Sequence, residues 1–297
     1  MRVDPNPVNN ILAAIQHTQS QEEVALQEIS SGKRVNSPSD DPAAAANEFQ
    51  NQATEARIDQ YLQSVSSLQA QLQTADSTLN SVVTALNQAV SLGVEAANGT
   101  LSASNQQQIE QQIQGIVGQV VQLANTTFQG SYLFAGTNTT QQPFTETAGG
   151  VAYSGNDGVN TVTIADGRSV QANVPGGQLF QQSGSDVFGS LQQLVSALQS
   201  GDTASISTAT TAVSGALNYL SGQRVFYGNV ENQLNDDQTA LNSETLNLKS
   251  QDNVLVGVDE TQAATDLAQA QTANQAALAA AAKILPITLL DYLPATT

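Results

Sequence analysis

The chain has 297 residues, of which 40% are hydrophobic, only 4% are aromatic and none is Cys. Because it lacks Cys, the sequence excludes disulfides, thiol catalysis and thiolate metal sites. The net charge of −18 argues against a nucleic acid or an anionic membrane as partner, because an acidic surface repels phosphate.

The first predicted helix lies near the N-terminus and ends at Gly32. Its seam residues are Val8, Leu12, Ile15, Gln19, Glu22, Leu26 and Ile29. Their alternating spacing of four and three indicates a helix that packs lengthwise on another helix. Two of the seven are polar, which leaves open whether a partner orders this helix or whether it is an ordinary bundle helix.

A short polar turn separates the first helix from the second. Gly32 can adopt the positive φ that ends a helix. Asp41 can cap the next helix, and Pro42 fits its first position, where a missing N–H costs nothing. Asp40 and Asp41 could also be read as paired catalytic carboxylates, but helix capping explains them together with Pro42.

Two antiparallel helices are predicted after this turn. The first extends from residue 42 to about residue 98 without Pro or Gly in its middle, a length of roughly 80 Å at 1.5 Å per residue. Asn98-Gly99 ends it. Ser102 or Ser104 caps the next helix, whose apolar side runs from Ile109 to Phe128.

From Gly130 the composition changes, and Gly, Thr and alternating apolar residues predominate. Asp166-Gly167, flanked by residues 161–165 and 169–173, is a two-residue hairpin signal. Helical patterning resumes at Val187, with a long run from about residue 204 to 252 that contains Gly222 and Gly228. A break is expected around Gly257.

The last predicted helix extends from about residue 259 to 285, where Pro286 ends it. Its seam residues are Leu267, Gln271, Asn274, Leu278, Ala281 and Leu285. The patterns together predict a mainly α fold: an elongated bundle of long antiparallel helices with paired terminal helices and a small β-rich insertion. Five segments are predicted: 1–41, which pairs with 260–297; 42–129; 130–183; 184–259; and 260–297.

The sequence predicts no enzyme, no cofactor and no metal. His17 is the single histidine and has no acidic neighbour at metal spacing. The chain contains no P-loop, dinucleotide fingerprint or His-Glu-x-x-His motif. The N-terminus lacks the apolar segment of a conventional signal peptide, and the apolar C-terminal stretch is too short to span a bilayer.

Residues 31–42, Ser-Gly-Lys-Arg-Val-Asn-Ser-Pro-Ser-Asp-Asp-Pro, resemble the N-terminal signature of the bacterial flagellin superfamily. Three further stretches are similar to its hook-filament junction family rather than to flagellin proper. They are the Ala-rich run 43–47, Tyr-Leu-Phe-Ala-Gly-Thr at 132–137 and Leu-Leu-Asp-Tyr-Leu at 289–293.

The resemblance implies a structural subunit that forms a ring of identical copies between the first hook-associated protein and flagellin. It also implies export to the cell exterior by the flagellar type III apparatus, with a chaperone on the C-terminal helix. The implied signature turn consists of Gly32, Arg34, Asn36, Asp40, Asp41 and Pro42. The implied assembly interface consists of Val8, Leu12, Ile15, Leu26, Ile29, Leu267, Leu278, Ile284, Leu285, Leu289, Leu290 and Leu293. A flagellin-like filament subunit is the alternative reading, and a secreted binding protein or enzyme is the second alternative.

Overall fold

A computed structural model describes residues 7–99, 101–147 and 149–290, with side chains for 9–99, 101–147 and 149–283. Its helices are α1 (Pro7–Ser31), α2 (Pro42–Ala97), α3 (Ala103–Ala124), α4 (Gly176–Phe180), α5 (Val187–Ser200), α6 (Thr203–Val256) and α7 (Glu260–Leu290). Its strands are β1 (Thr127–Phe128), β2 (Ser131–Tyr132), β3 (Phe144–Thr147), β4 (Gly150–Tyr153), β5 (Thr161–Ala165) and β6 (Arg168–Gln171). The mainly helical fold class is confirmed.

The chain divides into two compact units. The first comprises Met1–Arg57 and Ser243–Thr297, and the second comprises Ile58–Asn242. Both α2 and α6 therefore contribute residues to each unit. The division into five segments stays a prediction.

Local capping explains where α2 and α3 begin and end. Gly99 follows α2 with a φ of 66°, and the Ser102 side chain accepts a hydrogen bond from the Asn105 N–H at 3.3 Å. Phe128 lies in β1 and not on α3, which corrects the sequence prediction. The helix stops at Ala124 because the next side chain, Asn125, exchanges two hydrogen bonds with the backbone of Phe144, at 2.8 and 2.9 Å.

The strands form three separate antiparallel pairs, β1–β2, β3–β4 and β5–β6. Asp166-Gly167 connects β5 to β6, and Gly167 has a φ of 71°. The predicted hairpin is confirmed. Strand β3 contributes Phe144 to an aromatic cluster in the core of the second unit. The Phe144 ring lies 5.3 Å from the rings of both Phe180 and Phe188.

Two helices extend beyond their predicted ends. Helix α6 continues through Gly222 and Gly228 to Val256, since a glycine weakens a helix without removing its hydrogen bonds. Helix α7 continues past Pro286 to Leu290. Proline removes one N–H from the helix, and here the backbone keeps its helical course despite that loss.

Candidate functional site

The polar turn after α1 joins the two ends of the chain within the first unit. Gly32 has a φ of 69° and donates its N–H to the Glu28 carbonyl at 2.9 Å, which ends α1. The Arg34 N–H then donates to the Val256 carbonyl at 2.7 Å, and the Val258 N–H donates to the Gly32 carbonyl at 3.1 Å. The turn therefore holds the link between α6 and α7 by its backbone.

The two acidic residues of the turn both accept backbone hydrogen bonds. Asp40 Oδ2 accepts hydrogen bonds from the N–H groups of Asn36, at 3.1 Å, and Ser37, at 2.8 Å. Asp41 Oδ1 accepts the N–H of Ala44 at 3.0 Å and so caps α2. This hydrogen bond, together with the nearby Arg34 guanidinium, lowers the pKa of Asp41. The capping interpretation is confirmed for Asp41, whereas Asp40 binds backbone N–H groups inside the turn and caps no helix.

Arg34 links the turn to both neighbouring helices. Its guanidinium donates to the Leu255 carbonyl at 3.0 Å and lies 3.4 Å from Asp41 Oδ2. Next to it, Val35 is buried with Ala44 and Val256 in a small apolar cluster. The Nη2 group of Arg34 makes both of these polar contacts. The signature turn, Gly32 to Pro42, thus binds the end of α6 and the link to α7, and we call this turn the clamp.

Helices α1 and α7 form an antiparallel pair. Val258 lies beside Gly32, whereas Asn274 contacts Glu22, so the α1 numbers fall as the α7 numbers rise. On α1 the residues turned inward are Ile11, Ile15, Thr18, Glu22 and Ala25. On α7 they are Ala263, Leu267, Ala270, Asn274, Ala277 and Ala281.

This contact face differs from the predicted seam, which is a correction. Leu12, Gln19, Leu26 and Ile29 were expected in the seam. Ile11, Thr18 and Ala25 take the places of the first three, and Ile29 is exposed at the end of α1. On α7, Leu267, Asn274 and Ala281 lie inward as predicted, while Gln271 and Leu278 do not. The inward face of α7 is mostly Ala, and two helices approach closely when small side chains meet at the contact. The side of α1 that faces α7 combines Thr18 and Ala25 with Ile11 and Ile15, and Leu12 and Leu26 lie beside the contact.

The displaced leucines make one side of the pair apolar and exposed. Leu12 is 54% exposed, Leu26 57%, Ile29 38% and Leu278 50%. Leu12, Leu26 and Leu278 each follow an inward residue by one position, and in an antiparallel pair such positions share one side. Ile29 lies at the end of α1, seven residues after Glu22. We call Leu12, Leu26 and Leu278, together with Ile29, the exposed flank. Half-buried Ile15 and Leu267 belong to the contact itself.

Six other predicted interface residues have no described side chain. Val8, Ile284, Leu285, Leu289 and Leu290 lie within the backbone of α1 or α7, and Leu293 lies outside the described residues. Sequence reasoning did not single out Phe49 and Leu246, which are exposed apolar residues of the first unit. Each is an isolated apolar residue on a polar helix face, so periodicity provides no signal for it.

The described residues offer little for catalysis. An open groove of about 750 Å³ lies beside β4, α5 and the start of α6, and Asp186 is the one ionisable side chain that lines it. That carboxylate accepts the Gly189 N–H at 2.8 Å and caps α5. Among described side chains no group of three potential metal ligands occurs. No helix of the described part is long and apolar enough to cross a membrane.

Comparison with known families matches both ends of the chain. The model of the bacterial flagellin N-terminal helical region matches residues 6–139, and the model of the C-terminal helical region matches residues 210–293. Together they cover most of the chain. The residues that carry the two matches include the clamp and both helices of the terminal pair.

Individual proteins show the same likeness. Flagellar hook-associated protein 3 of Salmonella typhimurium is 34% identical over 155 residues, which is 52% of this chain and 48% of that protein. The match thus spans about half the length of this relative. A flagellin of Listeria innocua is 28% identical over 211 residues, 71% of this chain and 68% of that protein. The crystal structure of Bacillus cereus FlgL has a TM-score of 0.61 at 27% identity, covering 69% of this chain and 99% of that one.

Proposed function

Because the chain belongs to the bacterial flagellin family, we propose that it is a structural subunit of the flagellum at the junction between hook and filament. The observation that carries the proposal is the exposed flank on the terminal helix pair. A lone chain leaves four large apolar side chains in water there, and neighbouring copies could cover them.

The flank offers a simple energetic reason for assembly. Fully burying a leucine or isoleucine stabilises by about 1.5–3 kcal/mol, so covering the exposed part of each flank residue contributes about half of that. Repeated in every copy of a closed ring, such contacts add to a stable wall. The clamp supports this arrangement because it holds α1 and α7 side by side before any neighbour arrives.

The proposed assembly has two axial partners. One face of the ring contacts the first hook-associated protein, and the other contacts flagellin. Likeness to hook-associated protein 3 supports this placement. The flagellar type III apparatus exports the chain, and a cytosolic chaperone covers its C-terminal helix until export. Its role is mechanical and not enzymatic.

A flagellin-like filament subunit is the second candidate, and the similarity to Listeria flagellin favours it. Deleting the gene separates the two. Loss of a junction protein leaves hooks on the cells and flagellin free in the medium. Loss of a filament subunit leaves hooks that already carry their junction proteins, with no flagellin in the medium.

Complementation of the deletion strain tests the role of the exposed flank. Leu12→Asp together with Leu26→Asp is expected to abolish filament formation, because charges replace the apolar contact. The matched control is Val225→Asp, which changes a side chain that is 60% exposed on α6, outside the flank. The control should restore filaments and swimming. Full filament formation by the Leu12→Asp/Leu26→Asp variant would refute the proposal.

A further inference from the structure

One polar contact lies in the middle of the α1–α7 pair. The Asn274 Nδ2 group donates a hydrogen bond to Glu22 Oε2 at 3.1 Å. Both side chains are half-buried, and Asn274 Oδ1 is buried without a hydrogen-bond partner among the described residues. The other inward residues of α7 are alanines and one leucine, so this pair is the one polar layer of that described face.

Helix α1 carries two stripes that could face α7. The observed stripe contains Ile11, Thr18 and Ala25, and the more apolar one contains Leu12 and Leu26. A rotation of α1 by about 50°, half of one residue step, would exchange them. Apolar burial alone favours the second stripe, yet the first one is used.

We propose that the Glu22–Asn274 hydrogen bond is a positioning contact that fixes the rotation of α1 and keeps Leu12 and Leu26 exposed. Glu22 lies on the side of the contact nearest the exposed flank, as does Asn274. Turning α1 to bury Leu12 and Leu26 would carry Glu22 across the contact and away from Asn274. Both polar groups would then be buried without a partner, which is unfavourable.

The consequence for assembly rests on the function proposed above. If α1 turned Leu12 and Leu26 inward, the chain would bury this apolar surface itself and leave less of it exposed for neighbouring copies. The polar layer therefore keeps the single chain competent to assemble. Single polar residues inside helix pairs serve a comparable purpose when they select one helix arrangement at a cost in stability.

Thiol labelling of the purified full-length chain tests the rotation without requiring assembly. The protein has no Cys, so each variant carries one reporter. The reporters are Ala25→Cys, at a position 4% exposed, and Leu26→Cys, at a position 57% exposed. With Glu22 and Asn274 intact, the thiol at position 26 should react at least about tenfold faster than the thiol at position 25.

The same two reporters are then placed in a Glu22→Ala/Asn274→Ala background. Loss of the polar layer should slow labelling at position 26 and speed it at position 25, so that the ratio falls to within about threefold. Glu22→Gln should retain the parent ratio, because its amide can accept from Asn274 Nδ2 and donate to Asn274 Oδ1. Ala216→Cys, at a fully buried position of α6, reports on any general unfolding, because its thiol reacts only if the chain opens.

Each other outcome overturns the proposal. An unchanged ratio in the double-alanine background would mean that packing alone fixes the rotation. Fast labelling at both positions would mean that the pair attaches α1 to α7 and does not select its rotation. Filament formation is scored separately in cells. A changed labelling ratio with normal filaments would refute the proposed use of the flank but leave the rotational role intact.

Discussion

At the scale of single residues, the backbone of the signature turn requires particular residue types at particular positions. Gly32 ends α1 in a left-handed conformation, Asp41 caps α2, and Arg34 contacts the carbonyl of Leu255. Each of these residues makes a hydrogen bond to a backbone group. Their side-chain types therefore follow from the geometry of the turn.

Replacing Gly32 by Ala should destabilise the chain by about 1 kcal/mol, because a left-handed backbone crowds a Cβ atom. No other heavy atom lies within 4 Å of the position such a Cβ would take, so the effect is purely conformational. Gly222→Ala, in the open middle of α6, is the matched control and should stabilise by about 0.5–1 kcal/mol. Urea unfolding followed by circular dichroism measures both changes. Equal effects of the two substitutions would contradict this reading.

Asp41 should make stability depend on pH. Its pKa lies below the usual 3.8, chiefly because of the hydrogen bond from the Ala44 N–H. The stabilisation is therefore complete above the unfolded pKa and is lost as the pH falls through the lower folded value. The melting temperature of Asp41→Ala should lie furthest below that of the parent at neutral pH. The gap should narrow in acid, and a constant gap would show that ionisation of Asp41 is irrelevant.

At the scale of elements, α2 and α6 come close together at a point where α2 has no side chain, Gly93. A Cβ at Gly93 would overlap the side chain of Thr210, which is 6% exposed. The Thr210 hydroxyl donates to the Ile206 carbonyl at 2.7 Å, which fixes its orientation. The pairing of these two helices in the second unit thus depends on a glycine that periodicity alone treats as a weakness.

Gly93→Ala should therefore lower stability by about 1–3 kcal/mol, the usual effect of overpacking. Combining it with Thr210→Ala frees the space, so the double variant should lose less than the sum of the two single losses. A double-mutant cycle from urea unfolding measures this coupling. If the losses of stability of the two single variants simply add, the side chains at positions 93 and 210 do not interact.

At the scale of the whole molecule, charge is the dominant property. Only 8 basic residues oppose 26 acidic ones. Several of the bases are engaged within the chain, as in the Arg224–Asp76 ion pair at 2.8 Å and the Arg168–Asp237 ion pair at 2.7 Å. Most acidic groups remain uncompensated. Copies that assemble side by side must therefore overcome mutual repulsion.

Assembly of the purified chain should strengthen as salt rises. Screening shortens the reach of the repulsion to about 8 Å at 0.15 M ionic strength, whereas apolar contacts of the exposed flank persist. Sedimentation velocity at low and high salt measures the oligomer fraction. The Leu12→Asp/Leu26→Asp variant should stay monomeric at both. Assembly that weakens with salt would indicate that attractive ion pairs hold the copies together.

The amino-acid sequence by itself determined which elements form and where several of them end. Caps such as Asp41 and stops such as Gly32 act on backbone groups a few residues away, so local residues suffice to predict them. The hairpin at Asp166-Gly167 is local for the same reason. Pro286 shows the limit of such rules, because α7 continues past it.

Only the tertiary structure decided which side of α1 meets α7. The spacing of Leu12 and Leu26 is as good a seam as that of Thr18 and Ala25, and a periodic pattern cannot rank the two. The choice depends on the partner helix, whose alanines favour small neighbours and whose Asn274 binds Glu22. That pairing joins residues about 250 positions apart and leaves the large leucines in solvent.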